Sequence, residues 1–579
     1  MIDSSGITTL CDLLRHRAEE QSGDRAYVFL SDRGEEIGSL TFLELHRRAR
    51  AVAVDLVTRA PPGGRVLLVF LQSLDYVVGF FACILAGLVP VPVMPPRRNS
   101  SRDATTNIIA DCEPKIALTN REFACSPRGS ALKDFTDAGI ECVLLSELGR
   151  ASPNEPPILP IPTSSDIAFL QYTSGSTSAP KGVMVSHGNL MDNLGMIHTA
   201  FGNTRHSTHV SWLPLYHDMG LVFNAFTSLY AGALCVLLAP VTFMRRPMTW
   251  LHAIHSYRAE VAGGPNFAFD LCVDRMTAEQ TAGLDLSCWR SAPIAAEPVR
   301  HDTIRRFAAA FEPFGFSARA MYPCYGMAEA TLLISGRLRG LGPTTCTVSR
   351  TCLQQNEVKV PTTIEDRQIL VGCGGSVGRE EIAVVDPDSC KRLGTNRVGE
   401  IWVRGPNVAL GYWKNEGATA STFRAAIDGE PGNNWLRTGD MGFLDTVGEL
   451  FITGRIKDVL IIRGMNHYPQ DIEATVQSAH PALRRNCGAT FMATDGQDRE
   501  KVVVVQEVER THRHDIDPSK IASLIREAVA NEHEVAVRHV LLVRPGSLPK
   551  TTSGKIQRGL TCQLWLERGL DLLREGDQP

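Results

Sequence analysis

The sequence has 579 residues, with 59 Lys and Arg against 63 Asp and Glu, so its net charge at pH 7 is −4. This balance provides no basic field for a nucleic acid, and it favours chemistry on small molecules. The length suffices for about four ordinary domains, or for one large and one small domain. The 15 cysteines contain no Cys-x-x-Cys pair, which argues against a zinc site and a disulfide scaffold and predicts reduced thiols in the cytoplasm.

One apolar stretch, Tyr76–Met94, is uncharged over nearly the length of a membrane-spanning helix. A glycine and two prolines interrupt it, so the pattern favours a helix over Leu74–Ala86 followed by a buried strand around Val89–Val93. No basic segment followed by an apolar run opens the chain, and we expect no secretory signal. The sequence therefore predicts no integral membrane segment, while peripheral membrane contact stays open.

Strands and helices alternate through the first 145 residues. Strands are predicted at Arg65–Leu71, Ile116–Thr119 and Cys142–Leu145, with amphipathic helices before and between them. Such alternation predicts a largely parallel sheet flanked by helices, which is an α/β arrangement. The proline-rich segment Ser152–Pro162 predicts an irregular connection.

A loop of small residues follows at Tyr172–Gly182, between two apolar runs. Its candidate phosphate-binding residues are Thr173, Ser174, Gly175, Ser176, Thr177 and Lys181. Glycine lets the backbone approach a ligand closely, hydroxyl and backbone N–H groups donate hydrogen bonds, and the lysine adds a positive charge. The spacing differs from a Walker A loop, so we predict a strand-loop-strand clamp for a polyphosphate. A solvated Ser/Gly turn is the alternative.

Five further motifs stand along the chain in a fixed order. They are Trp212–Leu221 (WLPLYHDMGL), Tyr322–Ala330 (YPCYGMAEA), Arg437–Asp440 (RTGD), Gly454–Asp458 (GRIKD) and Pro549–Lys555 (PKTTSGK). Together with the loop at 172–182, this series resembles the adenylate-forming superfamily, which includes acyl-CoA synthetases, luciferases and the adenylation domains of peptide synthetases. The motifs cover most of the chain, and six of them in the family's order make a chance match very improbable.

The resemblance implies two domains. Residues 1–455 would form a large N-terminal adenylation domain of layered sheets and helices, and residues 456–579 a small mobile α+β cap, with the hinge at 454–458. The pattern after Val459 agrees with such a cap, because it predicts helices at Asp471–His480 and Pro518–Glu532 and strands at Lys501–Glu507 and His539–Val543. The leucine-rich tail Thr561–Arg574 predicts a terminal helix.

The resemblance also implies a site for ATP and Mg²⁺. The loop at 172–182 would clamp the β- and γ-phosphates, and Asp440 would bind the ribose hydroxyls with Arg455 reaching the ribose or a phosphate. The candidate adenine-pocket residues are Ala295, Ala296, Glu297, Tyr325, Gly326 and Met327. Glu329 would hold Mg²⁺, because hard oxygen ligands suit this ion. Ala328 departs from the threonine of many relatives, which weakens any claim of a hydroxyl contact there.

Two further residues would act at the reacting groups. Lys555 would reach the substrate carboxylate and the α-phosphate, and His217 would stand between the nucleotide site and the acyl pocket. Without the resemblance, the His217–Asp218 pair would indicate only the polar start of a helix, with Asp218 as its cap. His252 and His255 lie three apart on a predicted helix, a spacing that could suit a metal. With no third ligand nearby in sequence, a structural role is favoured.

The segment Arg350–Gly372 resembles in position the insertion that separates fatty-acyl-AMP ligases from acyl-CoA synthetases, although an ordinary surface hairpin is equally compatible with it. The run Asn466–Asp471 resembles the fatty-acyl-AMP ligase form of its motif, and together they favour that subfamily. The implied reaction is activation of a medium- to long-chain fatty acid to an acyl adenylate with release of pyrophosphate. The acyl group would then pass to the phosphopantetheine thiol of an acyl carrier protein for lipid, polyketide or lipopeptide synthesis. An acyl-CoA synthetase and a catalytically silent nucleotide-binding protein are the alternatives.

Overall fold

The computed structural model describes residues 6–96, 104–149, 157–173, 180–432, 434–495, 499–512, 516–551 and 555–573. One large cluster of buried apolar side chains lies between residues 10 and 450, and two smaller ones lie between residues 460 and 565. A further cluster joins the two parts of the chain, because Tyr468 packs with Val348, Phe443 and Phe451.

The first 150 residues alternate strands and helices, as predicted. The helices are α1 (Leu10–Glu20), α2 (Phe42–Leu56), α3 (Leu74–Leu85), α4 (Ala104–Cys112), α5 (Arg121–Ala124) and α6 (Ala131–Asp137). The strands are β1 (Arg25–Leu30), β2 (Glu36–Thr41), β3 (Arg65–Val69), β4 (Val89–Pro92), β5 (Ile116–Thr119) and β6 (Glu141–Leu144). The sheet β4-β3-β5-β6 is entirely parallel, which confirms the predicted parallel sheet.

Helix α3 accounts for the membrane-like stretch of the sequence. Its residues from Tyr76 to Ile84 are all buried, so their apolar side chains fill the protein core. Helices α1 and α2 begin at capping boxes, in which Thr9 pairs with Asp12 and Thr41 pairs with Glu44. Among the residues that the structure describes, no helix is long and apolar enough to cross a membrane.

The middle of the chain carries most of the candidate site. Its strands are β7 (Ile167–Thr173), β8 (Lys181–Ser186), β9 (His209–Ser211), β10 (Cys235–Leu237), β11 (Ala292–Ile294), β12 (Met321–Pro323), β13 (Tyr325–Gly326) and β14 (Leu333–Ser335). Its helices are α7 (His187–Phe201), α8 (Thr227–Ala231), α9 (Pro240–Arg245), α10 (Met248–Ser256), α11 (Asn266–Arg275), α12 (Ala278–Thr281) and α13 (His301–Phe311). A π-helix spans Met219–Phe226. Strand β10 pairs in parallel with β1, so this region completes the sheet β2-β1-β10-β9.

A second group of strands forms an antiparallel sheet in the order β17-β18-β19-β20. The elements of this region are β15 (Thr345–Ser349), α14 (Arg350–Leu353), β16 (Arg367–Val371), β17 (Glu381–Val385), β18 (Gly399–Arg404), α15 (Glu416–Phe423), β19 (Leu436–Leu444) and β20 (Leu450–Arg455). The sheet ends at Arg455, within the predicted hinge at 454–458.

The C-terminal part mixes strands and helices around the sheet β23-β24-β25. Its elements are β21 (Leu460–Ile462), β22 (Met465–His467), α16 (Pro469–Ser478), β23 (Leu483–Asp495), β24 (Arg499–Val508), α17 (Pro518–His533), β25 (Val537–Val543) and α18 (Arg558–Leu566). The predicted terminal helix is wrong in its length, because α18 ends at Leu566. Arg568 adopts a left-handed φ of 55°, and the chain turns back so that Leu572 pairs with Val543 at the sheet edge.

The segment Arg350–Gly372 forms a hairpin that contacts the C-terminal part directly. Strand β16 pairs with β15, and Arg350 donates to the backbone carbonyl of Glu532 at 2.8 Å. The carbonyl of Gln354 accepts the N–H of Asn466 at 3.0 Å, and Gln368 donates to the Asp471 carboxylate at 2.9 Å. The segment 350–372, which is paired with strand β15, therefore contacts helices α16 and α17 of the C-terminal part.

This contact contains a carboxylate with an altered proton affinity. Burial raises the pKa of Asp471 to about 6 although Gln368 and Arg350 oppose the shift, and Glu473 adds to it. A carboxyl group whose pKa is higher in the folded than in the unfolded protein favours folding while it is protonated. That contribution is lost as the pH rises from about 4 through about 6.

We therefore predict that Asp471→Asn is more stable than the unmodified protein above about pH 6. The amide keeps an oxygen to accept the Gln368 hydrogen bond and removes the charge of this half-buried side chain. The thermal midpoint should rise by about 1–3 °C at pH 7.5 and by less than half of that gain near pH 4.5, as measured by scanning calorimetry. The control Asp137→Asn, at an exposed position, should change neither value. A gain that is the same at both pH values would contradict the prediction.

Candidate active site

Asp440 lies at the centre of a cluster of predicted site residues. Strands β19 and β20 place Asp440 opposite Arg455, and the Arg455 guanidinium donates to Asp440 Oδ1 at 2.8 Å. The Tyr325 hydroxyl donates to Oδ2 at 2.7 Å. The carboxylate is only 5% exposed, and its charge raises the pKa of Arg455. Each carboxylate oxygen has two lone pairs, so Asp440 can still accept hydroxyl donors from a ligand.

The predicted adenine-pocket residues follow two neighbouring parallel strands. Strands β11 and β12 pair in parallel, so the residues after them, Ala295–Glu297 and Tyr325–Met327, emerge at the same edge. Ala296 has a left-handed φ of 75°, which is uncommon for a residue with a Cβ. Gly326 cannot be replaced without a backbone shift, because an added Cβ would lie 1.9 Å from the Leu332 carbonyl oxygen.

Glu329 lies in a 3₁₀ turn, Ala328–Ala330, and is 7% exposed. The Tyr412 hydroxyl donates to Glu329 Oε1 at 2.9 Å. Burial raises the pKa of Glu329, while the Tyr412 hydrogen bond and the charge of Arg455 oppose this shift. The next residue after the turn, Thr331, has a φ of 67°, which is strained for a β-branched side chain. Strain of this kind clusters at functional sites.

The predicted phosphate clamp is described only at its two ends. Thr173, the last residue of strand β7, and Lys181, the first of strand β8, are register partners, while Ser174, Gly175, Ser176 and Thr177 lie outside the described residues. The Lys181 ammonium stands 4.7 Å from the centroid of the Tyr412 ring. Tyr412 thus touches two residues that the motifs assign to phosphate and metal.

His217 and Asp218 stand at the start of the π-helix. The His217 Nδ1 atom is 2.7 Å from Asp218 Oδ1, and Asp218 also accepts the N–H of Met219 at 2.7 Å, so it caps the helix. Burial alone would raise the pKa of Asp218, but the charges of His217 and Lys555 outweigh it and the net shift is downward. π-Helices are rare in proteins, and those that occur are often found at functional sites.

Lys555 reaches the same site from the C-terminal part. Its backbone carbonyl accepts the N–H of Thr551 at 2.7 Å. Burial and the charge of Arg455 lower the pKa of Lys555, and the carboxylates of Asp218, Asp440 and Glu297 oppose this shift. The lysine therefore stands in the field of charged groups from three separate motifs.

Polar contacts hold the C-terminal part in this position. Asn486 donates to the Asp270 carboxylate at 3.0 Å and accepts from the Arg300 guanidinium. Lys550 donates to the Asn486 carbonyl at 3.2 Å, next to the loop that carries Lys555. Gln470 donates to the Thr453 carbonyl at 2.6 Å. These contacts bring Lys555 to the large region.

Some residues of the site escaped the sequence analysis. Tyr412 belongs to a Gly-Tyr-Trp run that carries no phosphate, metal or acid-base signal by itself, and Asn486 lies in a strand of the C-terminal part. Among the described residues, no group of three or more His, Cys, Asp and Glu side chains could hold a metal. In agreement with the favoured structural role, His255 Nδ1 accepts the N–H of Asp285 at 3.1 Å.

Comparison with known protein families matches both parts of the chain. Residues 14–413 match the family described as AMP-binding enzyme. Residues 457–575 match a second family, described as Disco-interacting protein 2-like, AMP domain. The first match covers more than half of the chain, and the second begins at residue 457, within the predicted hinge.

Individual relatives agree over nearly the whole length. The medium-chain-fatty-acid–[acyl-carrier-protein] ligase JamA of Moorena producens is 42% identical, over 97% of this chain and 96% of its own. The crystal structure of a fatty acid AMP ligase from Legionella pneumophila has a TM-score of 0.75 at 36% identity, and covers 99% of this chain and 98% of its own. A structure from a study of fatty acyl-adenylate ligases of E. coli and L. pneumophila has a TM-score of 0.87 at 31% identity. The match covers 97% of this chain and 98% of that chain.

These matches confirm the resemblance and the adenylate-forming fold predicted from the six motifs. With its motif series, a family match over more than half of its length and relatives that align from end to end, this chain belongs to the AMP-binding enzyme family, in the group of the fatty acyl-AMP ligases.

Proposed function

We propose that this chain uses ATP to convert a medium- to long-chain fatty acid into its acyl adenylate. The observation that carries the proposal is the cluster in which Arg455 and Tyr325 donate to the buried Asp440 carboxylate, with Lys555 of the C-terminal part in the electrostatic field of Asp440 and Asp218. Adenylation brings together two anions, a carboxylate and a triphosphate. A site that delivers cations beside fixed carboxylates suits that task, because its main work is positioning and charge neutralisation.

The chemistry has one bond-forming event. A carboxylate oxygen of the fatty acid attacks the α-phosphorus of ATP, and the bond from that phosphorus to the oxygen bridging the β-phosphate breaks. Pyrophosphate leaves with the electron pair. The mixed anhydride that remains is a better acyl donor than the carboxylate, because its leaving group is AMP rather than oxide.

Each predicted residue has a place in this proposal. Asp440 would accept the ribose hydroxyls, and Arg455, fixed against it, would reach the ribose or a phosphate. The segments 295–297 and 325–327 would enclose the adenine, and the residues from Thr173 to Thr177 with Lys181 would hold the β- and γ-phosphates. Lys555 would neutralise charge between the carboxylate and the α-phosphate, and His217 would border the acyl pocket. Residues 456–579 would move as a cap about a hinge at 454–458.

The residues present also fit a magnesium ion. Glu329 offers a buried hard oxygen ligand, and the Tyr412 hydrogen bond engages only one of its two oxygens. Mg²⁺ commonly binds through one or two carboxylates together with substrate phosphates and water, so a single protein carboxylate suffices. The ion would supply charge neutralisation at the phosphates. Glu329 would hold it at the edge of the nucleotide site.

For the second step we propose transfer of the acyl group to the phosphopantetheine thiol of a separate acyl carrier protein in the cytoplasm. The printed names of two relatives, JamA and TtuA of Teredinibacter turnerae, describe ligases of medium-chain fatty acids with acyl-carrier-protein. Attack of the thiol on the acyl carbon would release AMP and form a thioester. The product could then enter lipid, polyketide or lipopeptide synthesis.

The first prediction concerns Lys555. Replacement by alanine should lower the rate of acyl-adenylate formation by about two to three orders of magnitude, because one well-placed charge contact is lost. ATP binding should be largely retained, since Asp440 and the phosphate loop are unchanged. The rate is measured as pyrophosphate release with ATP, Mg²⁺ and a fatty acid, and binding by calorimetry.

Two variants make this test specific. Lys555→Arg, which keeps the charge, should recover part of the rate. Lys520→Ala removes an exposed lysine from helix α17 of the same part of the chain and should leave the rate unchanged. Acyl-adenylate formation at the normal rate by Lys555→Ala would refute the assignment.

The second prediction concerns the acceptor. The unmodified protein should accumulate acyl adenylate without a carrier protein and should transfer the acyl group poorly to coenzyme A. If the hairpin at 350–372 braces the C-terminal part against rotation, Arg350→Ala combined with Gln368→Ala should increase acyl-CoA formation, because both contacts to helices α16 and α17 are lost. Deleting roughly Gln354–Gln368 should act in the same direction. Adenylate formation should change less than about threefold, since none of these residues borders the nucleotide site.

Thioester and adenylate are both measured by chromatography of the acyl products. Lys359→Ala is the matched control, because Lys359 pairs with Glu357 within the hairpin. If neither the double variant nor the deletion increases acyl-CoA, the brace is refuted while the ligase function stands. Acyl-CoA synthesis by the unmodified protein as fast as adenylate formation would refute both and favour an acyl-CoA synthetase.

A further inference from the structure

One short segment of irregular chain, residues 407–413, is hydrogen-bonded to both halves of the candidate phosphate and metal site. On one side, the Thr331 hydroxyl donates to the Asn407 carbonyl at 2.7 Å, and the N–H of Ala409 donates to the Glu329 carbonyl at 2.9 Å. On the other side, this segment pairs with strand β8, since the N–H of Trp413 donates to the Gly182 carbonyl at 2.7 Å. We call residues 407–413 the bridging segment.

Tyr412 is the side chain of the bridging segment that acts on both sides. Its hydroxyl donates to Glu329 Oε1 at 2.9 Å, and the face of its ring lies 4.7 Å from the Lys181 ammonium. The tyrosine is itself held in place. Its backbone N–H donates to the Thr419 hydroxyl at 3.0 Å, and its ring meets Phe423 edge to face at 5.1 Å. It is 6% exposed.

The two contacts use different parts of one rigid ring. A cation is attracted to the face of the ring, and the hydroxyl at its edge donates to an anion. Tyr412 therefore contacts the lysine and the glutamate at separate places. A direct ion pair between them would commit both charges to each other, whereas contact through the tyrosine leaves Glu329 Oε2 and the Lys181 N–H groups for a ligand.

We propose that Tyr412 is a positioning residue that couples the metal site to the phosphate clamp. It fixes the Glu329 carboxylate through Oε1 and supports Lys181 on its ring, so that Mg²⁺ and the nucleotide phosphates bind more tightly together than apart. This inference rests on the proposed function, because it takes Glu329 as the metal ligand and Lys181 as a phosphate ligand. Residues that orient metal ligands typically change metal affinity or activity by about 10- to 100-fold when replaced.

The variant Tyr412→Phe isolates the hydroxyl, because phenylalanine keeps the ring under Lys181 and the contact with Phe423. The readout is binding of α,β-methylene-ATP by calorimetry without a fatty acid, so that no turnover occurs. In Mg²⁺ the variant should bind the analogue about 10- to 100-fold more weakly than the unmodified protein. In EDTA the two should agree within about threefold.

Two further variants separate positioning from general destabilisation. Tyr27→Phe also removes a buried tyrosine hydrogen bond, from its hydroxyl to the Ala225 carbonyl at 2.6 Å, but it should leave the Mg²⁺ dependence of binding unchanged. In a Glu329→Gln background, Tyr412→Phe should have no further effect on that dependence. Electron paramagnetic resonance with Mn²⁺ in place of Mg²⁺ should report the same loss of ion binding in the presence of the analogue.

The outcomes distinguish this inference from the proposed function. Suppose that the unmodified protein forms acyl adenylate and binds the analogue in an Mg²⁺-dependent way. If Tyr412→Phe then binds the analogue with the same affinity and the same Mg²⁺ dependence, the coupling role is refuted and the proposed function stands. Weakening by the same factor in Mg²⁺ and in EDTA would also refute the coupling role. If the unmodified protein neither forms acyl adenylate nor binds the analogue, the proposed function and this inference fail together.

Discussion

The buried charge of Asp440 is the constraint around which the candidate site is arranged. A carboxylate removed from water is costly unless donors replace its hydration, and here Arg455 and Tyr325 supply them from two separate elements. Arg455 is the last residue of strand β20 and is followed directly by the 3₁₀ turn Ile456–Asp458. The hydrogen bonds that satisfy Asp440 therefore also fix the sheet at the point where the chain leaves for the C-terminal part.

The proton affinity of Lys555 is affected in opposite directions by its surroundings in this site. Burial and the charge of Arg455 lower the pKa of Lys555, and the carboxylates of Asp218, Asp440 and Glu297 only partly oppose this shift. The contacts that hold the C-terminal part in place combine the apolar cluster around Tyr468 with polar contacts, among them those of Asn486 and Gln470. Polar contacts between domains are typical of parts that move relative to each other, and the hairpin at 350–372 adds further ones on the opposite side.

Much of this arrangement is encoded locally. Helices α1 and α2 begin where a threonine is followed three residues later by an acidic residue, and the parallel strands β3 and β5 are continuous apolar runs. The six motifs identified the family, because together and in that order they resemble its motif series. The same resemblance implied roles for Asp440, Arg455, Tyr325 and Lys555. Helix α18 shows the limit, because leucine content alone could not reveal that the chain turns back at Arg568 to pair with β25.

The sequence by itself determined the family and the parallel sheet and predicted many residues of the candidate site, because these depend on local patterns and on motifs confined to a few adjacent positions. Only the tertiary structure decided which side chains hold those residues. Tyr412 lies 83 residues from Glu329 and Asn486 lies 216 from Asp270, and nothing in the local sequence of either partner specifies the other. Such pairs arise when packing brings distant segments together, because a buried carboxylate accepts whichever donor the fold places beside it.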